Sequence, residues 1–558
     1  MKNFLYGVFL LLMICVRVDA MAIREEIRQK EAEKAALKDY YNPFFPVGNV
    51  VSPRDFRGER FELLVKHFDI LTAENAMKPM YLQGEKGVFT FETADDMVNA
   101  VLKAGLKMHG HTLAWHQQSP AWMNSEGIGR DEAVENLVTH AKTVAAHFKG
   151  RMVSWDVLNE AIVDNPSSPD NWRSALRQTP WFKAIGPEYI EIVFKAAREA
   201  DPDAVLYYND YNLDSQSKAT AVYNMVKELN EKNPNVNGRP LIDGVGMQGH
   251  YRVNTNVEYV QRSLKRFASL GVEVSITELD IQAGINSELT KMQALEQGLA
   301  YARLYALFRE NAKSLGRVTI WGLDDGSSWR KETSPTLFDR SLKPKKAFLG
   351  ALDPAPFIAA NESLFKKVVR EPQTAQAKYG SPSLNAADPL WQSAQEITVN
   401  QFLMAWQGAS GSARVLWDNQ YLYILFTVNN AEMNKNHPAP YEQDSIEIFI
   451  DEGNHREGYY QIDDGQYRIN FDNEPSFSPA NIAAGFESSS VISGNSYAIA
   501  VKIPFRTIKP QAGAVIGFDL QVNGASSRGY RQSVAVWNDI TGNAWQDPSL
   551  FGMLKLSE

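Results

Sequence analysis

"VSWDVLNEA", residues 153–161, begins as a buried strand should and ends as one should not. Val153, Trp155, Val157 and Leu158 suit a packed sheet, yet Asn159 and Glu160 follow at once. An unpaired carboxylate in such a place costs several kcal/mol. Glu160 therefore needs either a partner or a use.

The same break recurs along the chain. From residue 46 to about 325, short apolar runs alternate with amphipathic stretches whose charges keep to one face. Eight runs read as strands: 47–51, 69–73, 106–113, 152–158, 204–208, 244–248, 272–277 and 317–322. Between them, "DEAVENLVTHAKTVAAHF" (131–148), "PEYIEIVFKAAREA" (187–200) and "KMQALEQGLAYARLYALFRE" (291–310) space their apolar residues as helices do. Such alternation predicts a parallel sheet, and eight units predict closure into a (β/α)8 barrel. Polar residues then fall into register at the strand ends. Glu74 and Asn75 follow the second strand, His111, Trp115 and His116 the third, Asn159 and Glu160 the fourth, and Asn209 the fifth. Gln248 and His250 follow the sixth, Glu278 the seventh and Trp321 the eighth. Each alone reads more readily as a satisfied core or capping residue. Agreement at seven strand ends favours a site, because the carboxyl face of such a barrel carries the chemistry.

The chain has 558 residues, 44% hydrophobic and 22% charged, which is ample for more than one core. A net charge of -9 gives nucleic acid no electrostatic footprint. Residues 1–20 read as a signal peptide: Lys2, an apolar stretch from Phe4 to Val16, and a small-residue cleavage site ending at Ala20. The apolar stretch is shorter than the roughly 18–20 residues that span a bilayer. The expectation is a secreted or periplasmic protein with no membrane attachment after cleavage. A lipoprotein at Cys15 is the weaker rival, since Leu12, Met13 and Ile14 are not small. Cys15 is the only cysteine, so residues 21–558 hold neither a disulfide nor a thiol nucleophile.

After residue 352 the rhythm stops. Residues 353–370 read as a linker, within a Pro-, Ala-, Gln- and Lys-rich stretch, with one short helix around 362–369. From 371 to 558, runs such as 413–430, 444–452, 465–472, 496–505 and 514–524 alternate with period two between turn residues. An all-β sandwich domain is predicted there, after a barrel domain spanning 21–352.

Glu160 and Glu278 come from opposite sides of the barrel rim and can face one another across a ligand. Either alone is as readily a salt bridge or a cap. Together, with no cysteine and no evident metal cluster, they point to acid/base and nucleophilic work on an acetal. Asn75, Lys78, His111, Asn159 and Gln248 offer donors and acceptors suited to hydroxyl groups. Trp115, Trp321 and Trp329 offer flat faces for sugar rings; tryptophan is more often a core residue, but these three adjoin polar loops. No Gly-rich phosphate cradle follows a strand.

"TAENAMK" (72–78), "GHTLAWH" (110–116), "WDVLNEA" (155–161), "MQGHY" (247–251), "ITELD" (276–280) and "WGLDDGSSW" (321–329) occur in order. Over about residues 25–352 this set resembles glycoside hydrolase family 10, the endo-β-1,4-xylanases. The resemblance implies Glu160 as general acid/base and Glu278 as the nucleophile of a retaining reaction. It implies His250 bonded to the nucleophile and Asn159 on the 2-hydroxyl of the sugar being cleaved. Glu74, Asn75 and Lys78 would line the non-reducing side with His111, Trp115, Gln248 and Trp321, and Trp329 would form a lid. Glu160 would then sit in a partly apolar setting that raises its pKa, as a proton donor requires. No cofactor is implied for catalysis, and a monomer acting on xylan and xylo-oligosaccharides is expected. A β-glucanase is the rival enzyme. A barrel that binds without cutting is the other, and the presence of both glutamates with His250 and Asn159 counts against it.

"YEQDSIEIFID" (441–451) and "WNDITGNAWQDPSLFGMLKL" (537–556) resemble a family 9 carbohydrate-binding module. That likeness implies a sugar sandwiched by Tyr441 and Trp545, with hydrogen bonds from Glu447, Arg468 and Gln521. Position 441 commonly holds Trp in that family, and the smaller tyrosine face stacks less. Structural calcium is implied as well, with ligands the sequence does not place. A purely structural β domain is the alternative.

Overall fold

Eight parallel strands close on themselves. In the computed structural model, which describes residues 34–558 apart from 165, 167, 284–287, 366–370, 404–407, 430, 458–459 and 528, they belong to the first of two units, divided at Lys367/Val368. The predicted signal peptide lies outside the described residues. The strands are β1 (Val47–Val51), β2 (Ile70–Ala73), β3 (Lys107–Trp115), β4 (Ser154–Asn159), β5 (Val205–Asp210), β6 (Gly244–Met247), β8 (Glu273–Gln282) and β9 (Leu315–Ile320). A short β7 (His250–Arg252) pairs beside the far end of β8. Order follows sequence around the ring, and pairing of β6 with β8 closes it. The predicted (β/α)8 barrel is therefore the observed fold.

Two local features aim the mouth. Along β4, Trp155 faces outward, 6.0 Å from Phe148 at the end of helix Arg130–His147, so its neighbour Asp156 faces in toward His109 and His111. Strict alternation would next turn Leu158 inward. The register slips against both β3 and β5 at this point, and Asn159 turns in instead. The outward indole also explains Gly110 on β3, where any Cβ would lie 2.1 Å from the Trp155 ring. The second feature is the length of β8. The sequence reading ends this strand at Thr277, but β7 supplies partners as far as Gln282, so Glu278 lies within the strand.

The expected linker begins as structure. Helix Pro354–Asn361 starts with proline at its first turn, where the missing N–H costs nothing. Its Phe357 ring fills the space beside Gly298 on helix Lys291–Glu310. Of the helix expected over 362–369, Glu362–Phe365 form a 3-10 turn, and 366–370 lie outside the described residues.

In the second unit the strands are β10 (Thr374–Tyr379), β11 (Glu396–Val399), β12 (Gln401–Phe402), β13 (Ser410–Trp417), β14 (Tyr421–Asn429), β15 (Ser445–Asp451) and β16 (Asp464–Asn470). After them come β17 (Pro475–Ser478), β18 (Glu487–Ser493), β19 (Ser496–Pro504), β20 (Val515–Ala525), β21 (Arg531–Val536) and β22 (Gly552–Ser557). All belong to one hydrogen-bonded sheet. Residues of β13, β14 and β19 share a single buried cluster with residues of β15, β16 and β20, among them Val415, Phe426, Ile499, Ile448, Ile469 and Leu520. The two halves of a sandwich are thus continuous through their hydrogen bonds.

Candidate active site

Glu278 is buried within β8, and both of its carboxylate oxygens are held. Oε1 accepts from Asn209 Nδ2 at 2.8 Å, and Oε2 meets His250 Nε2 at 3.2 Å. Burial alone would raise this carboxyl, but the His250 hydrogen bond and nearby imidazoles outweigh it and hold it below the usual range. His250 is itself seated by Asp280 Oδ2, 2.9 Å from its Nδ1. Burial would depress the imidazole, yet Asp280 and Glu278 push it up to about 9. Gly249, at φ +82, makes the turn between Gln248 and His250.

Glu160 directly follows β4 with φ +58, a left-handed backbone uncommon for a residue with a side chain. Trp115 Nε1 donates to its Oε2 at 2.9 Å, while Gln248 Nε2 and Asn159 Nδ2 donate to Oε1 at 2.9 and 3.2 Å. The setting is polar, which corrects the expected partly apolar one: donors from the ends of three strands, Trp115, Asn159 and Gln248, converge on this carboxylate. The two glutamates are joined through amides, since Asn209 donates both to Glu278 and to Asn159 Oδ1, and Asn159 donates to Glu160. Thr277 Oγ1 orients Asn209 by donating to its Oδ1 at 2.6 Å.

On the β2 and β3 side, Lys78 is nearly buried. Its Nζ donates to Asn75 Oδ1 at 3.0 Å and Gln118 Oε1 at 2.7 Å, and lies 4.9 Å from the centre of the Trp115 ring. Burial draws its pKa down, against the charges of Glu278, Glu74 and Glu160. Glu74 is half-buried and raised by that burial, which Lys78 and Arg54 oppose. His111 bonds Asp156 through Nδ1 at 2.9 Å, and its ring meets Trp321 edge-on at 5.5 Å. Trp321 is only 6% exposed, so it walls the site more than it offers a free face. Trp329 is the opposite, 56% exposed, with its edge-to-face partner His250 at 5.1 Å and its Nε1 on Asp280 at 3.0 Å.

All twelve barrel residues picked from sequence thus lie at the carboxyl mouth, most of them in one bonded network. Some of its members carry no role in the sequence pattern. Asp280 stands two residues beyond Glu278 on β8, and Asp156 sits inside the quoted β4 run, so strand alternation could have flagged both. In the sequence pattern Asn209 stands out only as a strand end. Gln118 and Arg177 are in loops and carry no periodic signal.

In the second unit, Glu447, Arg468 and Gln521 occupy directly opposed positions on β15, β16 and β20. Glu447 is buried and accepts from Arg468 Nε at 2.8 Å, Arg468 Nη2 at 3.1 Å, Asn523 Nδ2 at 2.6 Å, Gln521 Nε2 at 3.4 Å and Gln466. The half-exposed ring of Tyr441 lies 5.9 Å from the Arg468 guanidinium and 5.7 Å from that of Arg531. Arg531 also donates to Asn523 at 3.3 Å, so both belong to this face although the sequence reading passed over them. Trp545 is exposed, next to Ala544, whose carbonyl accepts the Tyr460 hydroxyl at 2.9 Å. Four of the five predicted residues are therefore bonded or stacked together, and Trp545 stands apart from that network.

For the implied calcium, Asp451, His455 and Asp463 bring ligand atoms within 4.8 Å of one another. Asp464 faces Asp451 across the β15–β16 pair, and its Oδ1 is buried with no hydrogen-bond partner. Buried like charges in direct opposition are costly unless a cation joins them. The Asp451 and Asp463 carboxylates suit a hard divalent ion, whereas an imidazole does not, and His455 Nδ1 lies 3.0 Å from Asp463 Oδ2.

A (β/α)8 barrel whose mouth holds two glutamates among amides, an imidazole and indoles defines a glycosidase-type site. The family model described as Glycosyl hydrolase family 10 matches residues 36–354, and one described as Carbohydrate family 9 binding domain-like matches 385–558. The chain belongs to glycosyl hydrolase family 10. It is 30% identical to an endo-1,4-beta-xylanase A of Thermoanaerobacterium saccharolyticum, over 93% of this chain and 59% of that protein. It is also 30% identical to an exoglucanase XynX of Acetivibrio thermocellus, over 93% of this chain and 63% of that one. The chain thus spans about three fifths of these relatives. The solved structure of an intracellular xylanase from T. saccharolyticum is 37% identical, with TM-score 0.52 over 56% of this chain and 97% of its own.

Proposed function

We propose that this chain is a retaining endo-β-1,4-xylanase, exported through the 1–20 leader, with a module that holds it on polysaccharide. The carrying observation is the amide-linked pair: Glu278 kept ionised by His250 and Asn209, and Glu160 held by Trp115, Gln248 and Asn159. In the first step a Glu278 oxygen attacks the anomeric carbon while Glu160 gives its proton to the departing glycosidic oxygen. In the second, Glu160 takes a proton from water as that water displaces Glu278, and the anomeric configuration is restored. Asn159, already facing the pair, holds the sugar 2-hydroxyl, a contact that strengthens as positive charge grows at the ring. Glu74, Asn75 and Lys78 bind the non-reducing side. Trp329, exposed beside His250, covers the bound chain.

In the module, Tyr441 and Trp545 stack on a sugar and the face ordered by Glu447 presents Arg468 and Gln521 to its hydroxyls. Asp451 and Asp463 hold calcium, which neutralises their adjoining charges and fastens the β15–β16 end. The test is incubation with xylan and with carboxymethyl-cellulose, followed by sizing of the products and assignment of their anomers. Long fragments from xylan alone, with retained configuration, are expected. Fragments from cellulose would favour the glucanase reading, which the exoglucanase relative keeps in view. No fragments from either would leave a barrel that only binds.

A further inference from the structure

The Glu160 carboxylate is surrounded by donors, but a carboxylate is aimed by its backbone as well as by its partners. At φ +58 that backbone is in a conformation a side chain disfavours, so something must hold it. Its N–H donates to the Asn209 carbonyl on β5 at 2.9 Å. Its carbonyl accepts from Arg177 Nε at 2.9 Å. Arg177 reaches this point because residues 175–177 run back along 161–163. Its own N–H donates to the Ala161 carbonyl at 2.8 Å, Leu176 bridges Ile162, and Val163 donates to Ala175 at 2.9 Å. The far end of the guanidinium is pinned too. Nη2 donates to the Tyr211 hydroxyl at 2.5 Å and meets Asp164 at 3.4 Å, with the Tyr211 ring centre 5.7 Å away. Tyr211 directly follows β5, so one planar group ties the turn after β4 to the end of the next strand.

We propose that Arg177 is a positioning residue for Glu160: by gripping the Glu160 carbonyl it sets the angle from which the carboxyl protonates the leaving oxygen. This rests on the acid/base reading of Glu160. The bond acts through the main chain and needs no contact with substrate. An arginine serving only to brace the loop would support the whole mouth, and its loss would slow every substrate alike. A positioning role affects only the proton transfer, so the loss should track how much protonation the leaving group needs.

The experiment measures kcat/KM for phenyl and 2,4-dinitrophenyl xylobiosides in the wild type, Arg177→Met, Tyr211→Phe and Glu160→Ala. Arg177→Met is expected to lose roughly 10- to 100-fold on the phenyl substrate, the scale of a misplaced reacting group, and less than about threefold on the dinitrophenyl one. Tyr211→Phe keeps the arginine but frees one end of it, and should give the same pattern at smaller size. Should Arg177→Met not fold, Tyr211→Phe carries the test. Equal losses on the two substrates in the folded variants overturn the proposal. Glu160→Ala separates the two levels. If it discriminates between the substrates and the other variants do not, only the role of Arg177 falls; if it does not discriminate, the acid/base reading falls and takes this inference with it.

Discussion

Glu278 in the barrel and Glu447 in the β unit are both buried carboxylates on strands, and partners hold both below the ordinary carboxyl range against the pull of burial. They differ in how much of their accepting power is used. Glu278 takes one donor on each oxygen, from Asn209 and His250. Glu447 takes bonds from Arg468, Gln466, Gln521 and Asn523, which fills a carboxylate with about four lone-pair sites. A group that must form a bond keeps a lone pair in reserve. A group that orders other donors uses all of its accepting power, and on the proposed reading the donors it orders are left to meet a sugar.

The sharpest way to break this contrast is removal. Glu278→Ala is expected to abolish cleavage, by about 10⁴-fold or more on any substrate, since the proposed covalent intermediate forms on its carboxylate. Glu447→Gln should leave hydrolysis of soluble xylan unchanged and weaken retention on insoluble polysaccharide instead. Product release from soluble xylan, beside a pull-down on insoluble xylan, checks both. A Glu447 variant that also lost soluble activity would mean that the two sites are not the separate devices described here.

Next in size is Glu160→Ala, with a loss of about 10²- to 10⁴-fold on xylan and little on aryl xylosides whose leaving groups need no proton. In a crystal structure the Glu160 and Glu278 carboxyls should lie about 5–5.5 Å apart, as retention requires. A separation near 9 Å would make the enzyme inverting.

Much of this was legible because a carboxylate that interrupts an apolar run is conspicuous. Glu160 and Glu278 announce themselves that way, and the eight-fold rhythm says which end of the barrel they share. Their partners are harder to read. Asn209 reaches Glu278 across β6, and Asn159 turns inward only because the β4 register slips at Asp156, a displacement no residue in the run announces. Arg177 depends on a loop folding back on 161–163. Pro354 reads as a breaker after the last barrel helix, but at a first turn proline starts a helix, and so the predicted linker opens with one. In the β unit, Asn523 and Arg531 join Glu447 through strand pairing, which alternation within a single strand does not reveal.

The ionic half of the contrast is tested by pH. His250 has its pKa raised from 6.5 to about 9, so the stability from its pairing with Asp280 and Glu278 is fully present below pH 6.5 and lost as pH rises through 9. Glu278 is depressed from 4.5, so its contribution is present above pH 4.5 and lost as pH falls. The barrel should therefore lose about 3 kcal/mol between pH 6.5 and 9.5, a fall of roughly 4–5 °C in melting temperature. His250→Gln should flatten that slope. Melting curves across this range decide it, and an unchanged slope in the variant would show that His250 is not charged in the folded protein.

The smallest expected effect lies at position 441. Tyr441 presents a half-exposed ring near two guanidinium groups, Arg468 at 5.9 Å and Arg531 at 5.7 Å, so the ring is already oriented before any sugar arrives. Its weakness is area. Replacing it with tryptophan enlarges the stacking face while keeping the cation–π contacts, and an aromatic contact of this kind is worth about 0.5–1.5 kcal/mol. Tyr441→Trp should therefore tighten binding of short sugars about two- to tenfold by calorimetry, with the rate on soluble xylan unchanged. Trp545→Ala should do the reverse and more strongly, since a whole exposed indole is lost, and on insoluble xylan it should also cost the local concentration of substrate that tethering provides. If Tyr441→Trp fails to tighten binding while Trp545→Ala still weakens it, ring area at 441 is not the limit and the paired arginines hold the sugar by hydrogen bonds alone. If neither substitution changes binding, the β unit keeps the fold of a sugar-binding module without its site, and Glu447 is saturated only to stabilise the sheet.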